Sequence, residues 1–201
     1  MRRFTQDEVS ETMRQMHRRK AQGQDDIPSW LLRDFSAELA PFMAALFNLV
    51  LREGVVPHQW TKGLVVLLPK GSHSGKKGFR PVTLLSRVRI AFEKALLSRI
   101  QGQLSTCKLQ GGFKRNRRTQ HWAGILNDIL VDSEDYGEDI YVASVDCNKA
   151  FDRISFPALL EAFKGSRDYA LVRNLTVNQR LRVQGTNSWL YPSRGHHRVE
   201  S

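Results

Sequence analysis

An aspartate that follows an apolar segment is the feature of this sequence best suited to chemistry. Residues 140–145 are mostly apolar and β-forming, and Asp146 comes directly after them. A carboxylate at the mouth of a buried strand offers hard oxygen ligands, which Mg²⁺ prefers together with water and phosphate oxygens. The pattern therefore makes Asp146 a candidate magnesium ligand. The alternative interpretation is an aspartate that only begins a turn.

Positive charge is concentrated in one part of the chain. The formal net charge is +11, and residues 61–120 hold 14 of the 31 lysines and arginines but only one acid, Glu93. Lysine and arginine bind polyanions because they displace condensed counterions from phosphates. This basic block predicts a nucleic-acid partner. A solvated basic face without a partner is the alternative.

Cysteine usage and hydropathy exclude several classes of protein. Two cysteines, Cys107 and Cys147, cannot form a disulfide framework, and the six histidines do not stand at zinc-ligand spacing with them. The polar N-terminus does not resemble a signal peptide, and the apolar runs are too short to span a bilayer. We therefore expect an intracellular protein with no membrane partner.

The spacing of apolar and turn-forming residues predicts short helices and hairpins. Thr5 and Glu8 predict a capping box, and Ser86 and Thr119 are predicted helix caps. Helices are predicted at 6–18, 39–50, 86–100, 119–132, 156–163 and 168–178. Strands are predicted at 63–68, 79–84, 140–145, 180–183 and 189–191.

Short motif-like segments recur along most of the chain in a fixed order. They are Lys20–Pro28, Phe47–Trp60, Leu68–Lys70, Phe79–Leu85, Glu93–Lys94, Gln110–Thr119 and Asp146–Asp152. In their residues and in their order these segments resemble the motifs of the reverse transcriptases of non-LTR retrotransposons. Any one segment alone would be a weak sign, but the shared order is specific. Group II intron maturases and telomerase share the fold, and the spelling of Lys20–Pro28 and Phe79–Leu85 favours the retrotransposon branch.

The resemblance implies an α+β fold, with the fingers and part of the palm of a right-hand polymerase. Such a fold is helix-rich with short antiparallel hairpins. We expect the fingers over residues 1–138, a partial palm over 139–195 and a divergent tail over 196–201. A nuclear location is expected if the protein is functional.

The resemblance also implies which residues bind metal and nucleotide. Asp146 matches a catalytic, metal-binding aspartate, and the backbone carbonyl of Cys147 would be a further ligand of Mg²⁺. Arg80 and Lys70 would hold the triphosphate of the incoming dNTP. Phe151 would lie under the sugar and exclude a 2′-hydroxyl, although core packing is an alternative role for it.

The implied partners are an RNA template and a DNA primer. Lys76 or Lys77 is an alternative to Lys70 at the triphosphate, and Asp152 is either a metal ligand or a structural contact. The expected nucleic-acid contacts are Lys76, Lys77, Gln110, Lys114, Arg115, Arg117 and Arg118.

One element of the family pattern does not occur in these residues. Polymerisation by two metal ions needs further carboxylates, which the family carries in a Tyr-x-Asp-Asp tetrapeptide that the sequence lacks. After Arg194 and Gly195 the sequence departs from the family pattern. We therefore expect a truncated reverse transcriptase that does not polymerise by itself. A non-catalytic RNA-binding remnant using the basic block at 61–120 is the alternative.

Overall fold

The chain forms helices and one mixed sheet. A computed structural model describes residues 2–69, 78–101, 107, 109–114, 116–147, 150–165, 169–193 and 196–200, with the backbone alone at 151–152, 192–193 and 196–200. The helices are α1 (Gln6–Arg14), α2 (Ser29–Asp34), α3 (Ser36–Glu53), a 3-10 helix (His58–Thr61), α4 (Arg87–Ile100), α5 (Thr119–Tyr136), α6 (Ala150–Arg153), α7 (Phe156–Glu161) and α8 (Tyr169–Val177). The strands are β1 (Lys62–Pro69), β2 (Phe79–Leu85), β3 (Arg180–Val183), β4 (Trp189–Ser193) and β5 (His196–Glu200). This mixture confirms the predicted α+β class.

The chain divides into two compact units. The first unit comprises Met1–Ile100 with Lys149–Ser201, and the second comprises Gln101–Asn148. The first unit has an aromatic core in which Phe4, Phe47, Trp60 and Phe92 are each at most 3% exposed. The rings of Phe47 and Phe92 meet edge to face with centroids 5.2 Å apart, a favourable geometry for aromatic pairs. Burial of these rings holds the segment before α1 against α3 and α4.

The N-terminal segment is fastened to the end of α4 by Arg99. Its guanidinium donates hydrogen bonds to both carboxylate oxygens of Glu8, at 2.6 and 2.5 Å, and lies 3.7 Å from the ring centre of Phe4. The hydrogen bond from Arg99 lowers the pKa of the Glu8 carboxyl, while burial opposes that shift. Glu8 also completes the predicted capping box with Thr5. The same carboxylate therefore caps the start of α1 and binds Arg99 of α4.

The sheet has five strands in the order β2-β1-β3-β4-β5. The antiparallel pairs β1–β2 and β3–β4 confirm the two predicted hairpins. A parallel pairing of β1 with β3, in which Gly63 lies opposite Leu181, joins the two hairpins. Neither this pairing nor β5 was predicted, because local sequence patterns carry no information about which distant strands meet.

A buried arginine holds the two segments that lead into β1 and β3. Arg89, with a side chain only 4% exposed, donates hydrogen bonds to the carbonyls of Trp60 at 2.6 Å and Leu175 at 3.0 Å. It also pairs with Glu93 at 2.7 Å. Hydrogen bonds from a charged donor are about twice as strong as neutral ones. Arg89 therefore fixes the turn before β1 against α8, which precedes β3.

The predicted strand at 140–145 is wrong. Residues 140–147 have irregular backbone, and Tyr141, Val142 and Val145 are 95%, 63% and 88% exposed. A strand forms only where a neighbouring strand satisfies its backbone hydrogen bonds. None of the described strands pairs with this segment. Its β-forming side chains therefore have no sheet to join.

Of the two helix caps predicted at Ser86 and Thr119, one is confirmed and one is wrong. Ser86 caps α4 as predicted, because its hydroxyl accepts a hydrogen bond from the Arg89 N–H at 3.3 Å. Thr119 is not a cap: α5 begins at Thr119 itself, with Arg118 at the cap position and no capping side chain. Helix α2 was not predicted. It begins directly after Pro28 and is only six residues long, too short to show a helical period.

The second unit is built around α5. None of the residues of this 18-residue helix, all of which the structure describes, is buried. Its apolar side chains Leu126, Ile129 and Leu130 are 44–50% exposed.

Among the helices that the structure describes, none is long and apolar enough to cross a membrane.

Candidate nucleotide and nucleic-acid sites

Arg80 stands near the start of β2, opposite Leu68 on β1. Its side chain is exposed and makes no ion pair with any carboxylate that the structure describes. An arginine with an unpaired guanidinium is well suited to grip a phosphate group with two hydrogen bonds. The other predicted triphosphate ligands, Lys70, Lys76 and Lys77, lie outside the described residues.

The loop before α2 packs against the base of the hairpin that carries Arg80. At Gly23 an added Cβ would lie 2.5 Å from the backbone carbon of Leu85, so only glycine fits there. The Gln24 side chain donates to the carbonyl of Gly63 on β1, at 3.4 Å. The segment Lys20–Pro28 therefore helps to position the hairpin.

The same loop buries a charged pair that sequence analysis missed. Arg87 is 8% exposed, and its Nε and the Asp25 Oδ1 are buried without a hydrogen-bond partner in the described part of the chain. Burial lowers the pKa of Arg87, and the negative charge of Asp25 opposes that shift. Both residues stand in polar segments and look like surface charges, so no local signal could have revealed the pair.

Asp146 ends the irregular segment of the second unit. Its side chain is exposed, and so is the neighbouring free thiol of Cys147. Within the described ranges, no group of three or more His, Cys, Asp or Glu residues is placed to hold a metal ion. The Asp146 carboxylate and the Cys147 carbonyl are nonetheless the oxygen donors that Mg²⁺ prefers. They fit a metal ion that takes its remaining ligands from water, phosphate or other carboxylates.

The predicted site residues divide between the two units. Arg80 and Phe151 belong to the first unit, and Asp146 and Cys147 belong to the second. Phe151 and Asp152 lie in the short helix α6, where only the backbone is described.

A basic turn precedes α5 in the second unit. Lys114 Nζ donates to the carbonyl of Cys107 at 2.8 Å, which closes the turn, and the Gln110 side chain donates to the carbonyl of Gly112 at 3.1 Å. The Gln110 side chain is exposed and that of Lys114 is half-buried. The predicted contact Arg115 lies outside the described residues.

Trp122 on α5 supports this basic turn. An added Cβ at Gly111 would lie 2.0 Å from Trp122 Nε1, so the backbone at Gly111 lies against the indole edge. The Arg117 guanidinium lies 5.9 Å from the centre of the same ring. Arg118 follows, exposed, at the start of the helix. The structure thus gathers Gln110, Lys114, Arg117 and Arg118 in a single surface turn.

The chain resembles several polymerases of mobile elements. No protein-family model matches it. It is 21% identical over 195 residues to a probable RNA-directed DNA polymerase from transposon BS of Drosophila melanogaster, a match that covers 92% of this chain and 22% of the relative. It is 26% identical over 156 residues to the corresponding protein of transposon X-element of the same fly, covering 73% of this chain and 17% of the relative. The RNA-directed DNA polymerase from mobile element jockey, also from that species, is 26% identical over 166 residues, covering 78% and 18%.

The chain is similar to the RNA-directed DNA polymerases of non-LTR retrotransposons. This similarity confirms the resemblance that the order of the motif segments indicated. The chain spans about a fifth of the length of these polymerases.

Proposed function

We propose that this chain supplies the nucleotide- and template-binding part of a reverse transcriptase that acts in retrotransposition. The reaction is RNA-templated transfer of a dNTP to the 3′-hydroxyl of a DNA primer. The observation that carries the proposal is the similarity to a retrotransposon polymerase over 92% of the chain. In this proposal residues 1–138 form the fingers, residues 139–195 form part of the palm, and the reaction takes place in the nucleus.

The proposed nucleotide site is built around Arg80. Its exposed guanidinium, without an ion-pair partner in the described residues, would hold the triphosphate, and Lys70, Lys76 or Lys77 would add a second cation. Cations placed there stabilise the charge that develops on the leaving pyrophosphate. The bulk of Phe151 would exclude a 2′-hydroxyl and so select deoxynucleotides.

The proposed metal site is built around Asp146. The Asp146 carboxylate and the Cys147 backbone carbonyl would hold Mg²⁺, which, when bound, neutralises phosphate charge and activates the primer hydroxyl. The basic turn of Gln110, Lys114, Arg117 and Arg118, with Arg115, would contact the phosphates of the RNA template.

The nucleotide site can be tested by titrating the chain with a fluorescent dNTP in the presence of Mg²⁺. We expect Arg80→Ala to weaken binding by roughly tenfold or more, the effect of losing charge-assisted hydrogen bonds. Arg173→Ala is the matched control, since Arg173 is an exposed arginine on α8 of the same unit. Equal affinity of the wild type and Arg80→Ala would contradict the proposed role.

We further propose that these 201 residues bind primer and template without extending the primer. The two-metal reaction needs carboxylates beyond Asp146, and the Tyr-x-Asp-Asp tetrapeptide does not occur in them. Primer extension on an RNA template with Mg²⁺ tests this point. Processive synthesis that disappears in Asp146→Ala would contradict it.

A non-catalytic RNA-binding module is the second candidate function. It is favoured by the basic block, where the single acid Glu93 is already paired with Arg89 and therefore does not neutralise the exposed cations. Under this alternative RNA binding survives Asp146→Asn and falls on charge reversal at Lys76, Lys77 or Arg117, while Arg80→Ala has no specific effect on dNTP binding.

A further inference from the structure

One face of the sheet in the first unit gathers cations and aromatic rings from three strands. Lys62 of β1 lies opposite Arg180 of β3, and Arg182 lies opposite Trp189 of β4. Side chains alternate between the two faces of a strand, so Tyr191, two residues after Trp189, lies on the same face. These five residues are called the sheet platform below.

The cations of the sheet platform lie near its rings. Lys62 Nζ and the Arg182 guanidinium are 5.9 and 5.8 Å from the centre of the Trp189 ring. The Arg180 guanidinium is 5.6 Å from the centre of Tyr191. At these distances a cation is attracted to the face of an aromatic ring. The contacts therefore hold the long cationic side chains over the sheet.

The charge of the sheet platform is not neutralised by the rest of the described chain. None of its three cations forms an ion pair with a described carboxylate. Arg180 is exposed, and the other four residues are half-buried. On β5, of which the structure describes the backbone alone, the register sets Arg198 opposite Tyr191 and Glu200 opposite Trp189.

The two faces of the sheet differ in chemistry. Gly63, Val65 and Leu181 alternate with the platform residues and are buried, with Val65 and Leu181 only 7% and 8% exposed. Burial of that opposite face anchors the strands. The cations and rings of the platform are therefore held on a rigid sheet rather than on a loop. Rigid positioning is typical of a binding surface and not of an incidental group of surface charges.

A cleft opens at one end of the platform. Its volume is about 450 Å³, and its lining includes Arg180 and Tyr191 together with His58, Asn178 and Gln179. A cleft of this size, with a ring, a cation and amide groups, suits a nucleobase with its phosphate. The amide nitrogens of Asn178 and Gln179 already donate to Asn174 Oδ1 and to the Leu175 carbonyl, and their amide oxygens are the acceptors offered to a base edge.

We propose that the sheet platform binds single-stranded nucleic acid, with bases stacked on Trp189 and Tyr191 and phosphates held by Lys62, Arg180 and Arg182. Stacking on aromatic side chains along a basic surface accepts any base, and it requires bases that are not enclosed in a duplex. The platform deepens the proposed function and rests on it for the source of the strand. It shares no residue with the basic turn before α5 or with the Arg80 site.

Fluorescence anisotropy with the full chain tests the stacking. The probes are labelled oligouridine, labelled oligothymidine and a duplex of equal length. We expect Trp189→Ala with Tyr191→Ala to weaken binding of both single strands by roughly tenfold or more, and Trp189→Phe with Tyr191→Phe to retain most of it. Phe42→Ala, at a 70% exposed ring on α3, is the matched control. Duplex binding as tight as single-strand binding would overturn the proposal.

The salt dependence of binding tests the cations without disturbing the rings. Loss of two phosphate contacts in Arg180→Gln with Arg182→Gln should reduce the slope of log affinity against log salt by about 1.4. Arg14→Gln with Arg173→Gln removes two exposed cations of the same unit and should leave the slope near the wild-type value. An unchanged slope in the platform variant would overturn the proposal.

These outcomes separate the platform from the proposed function. If the platform variants bind single strands as the wild type does while Arg80→Ala still loses dNTP binding, the platform is wrong and the proposed function stands. If the platform variants lose strand binding but Arg80→Ala binds dNTP normally, the platform stands and the proposed nucleotide site fails.

Discussion

The two compact units differ in how they are stabilised. In the first unit Phe47 and Phe92 are fully buried and two arginines, Arg89 and Arg99, join distant segments by several hydrogen bonds each. In the second unit α5 buries no residue, and Ile129 is half exposed. Burial of apolar surface is the dominant favourable term in folding. The first unit therefore has its own source of stability, whereas the basic turn and Asp146 stand on a part of the chain in which none of the described residues is buried.

Hydrogen exchange should show the largest difference between the units. We expect backbone amides of α4 to exchange only through global unfolding, which costs about 5–15 kcal/mol in an ordinary domain. Amides of α5 should open locally at a cost near zero, because few buried contacts resist opening. Mass spectrometry of peptides from 87–100 and 119–136 measures both. Equal protection of the two helices would show that the second unit is as well packed as the first.

Removal of Arg89 should break the link between the segments that lead into β1 and β3. We expect Arg89→Met to lower the free energy of unfolding by roughly 3 kcal/mol, since the carbonyls of Trp60 and Leu175 lose their buried partner. Arg52→Met is the control, because Arg52 forms an exposed pair with Glu53 that should contribute well under about 1 kcal/mol. Urea unfolding followed by circular dichroism measures both. A similar small change in the two variants would contradict the role of Arg89.

Glu8 should give the first unit a stability that depends on pH. Its pKa is lowered in the folded state, so its contribution is present above the ordinary glutamate pKa and is lost as the pH falls through the folded value. We expect Glu8→Gln to cost about 1–2 kcal/mol at neutral pH and progressively less in acid. Glu11→Gln, which removes a carboxylate of the same helix from an exposed pair with Arg14, is the matched control. If the free energies of unfolding of the wild type and Glu8→Gln differ by the same amount at every pH, the proposed contribution of Glu8 is contradicted.

Local features of the fold could be predicted from the sequence, and long-range ones could not. The Thr5–Glu8 box, the Ser86 cap and the two hairpins depend on residues a few positions apart, and all are present. The hydrogen bond from Arg89 to Leu175 joins residues 86 positions apart. The sequence around Arg89 looks like that of any helix with charged residues. The parallel pairing of β1 with β3 is hidden for the same reason.

The resemblance to polymerases suggested which residues form the candidate site but could not give their geometry. The order of the motif segments pointed to the polymerase relatives and singled out Arg80 and Asp146. The strand expected before Asp146 is absent, because an apolar, β-forming segment does not form a strand without a neighbouring strand to pair with. The sheet platform carried no motif at all, since Lys62, Arg182 and Trp189 meet only through the register of three strands.

The central claim, that the chain binds nucleotide and template as a reverse transcriptase does, is tested most directly by a ternary-complex assay. Dissociation of a labelled RNA–DNA primer–template from the full chain is measured with Mg²⁺ and each nucleotide in turn. The account predicts that only the dNTP complementary to the template slows dissociation, that the matching ribonucleotide does not, and that Arg80→Ala abolishes the effect while Arg173→Ala preserves it. A dissociation rate that is the same with every nucleotide, in wild type and Arg80→Ala alike, would contradict it.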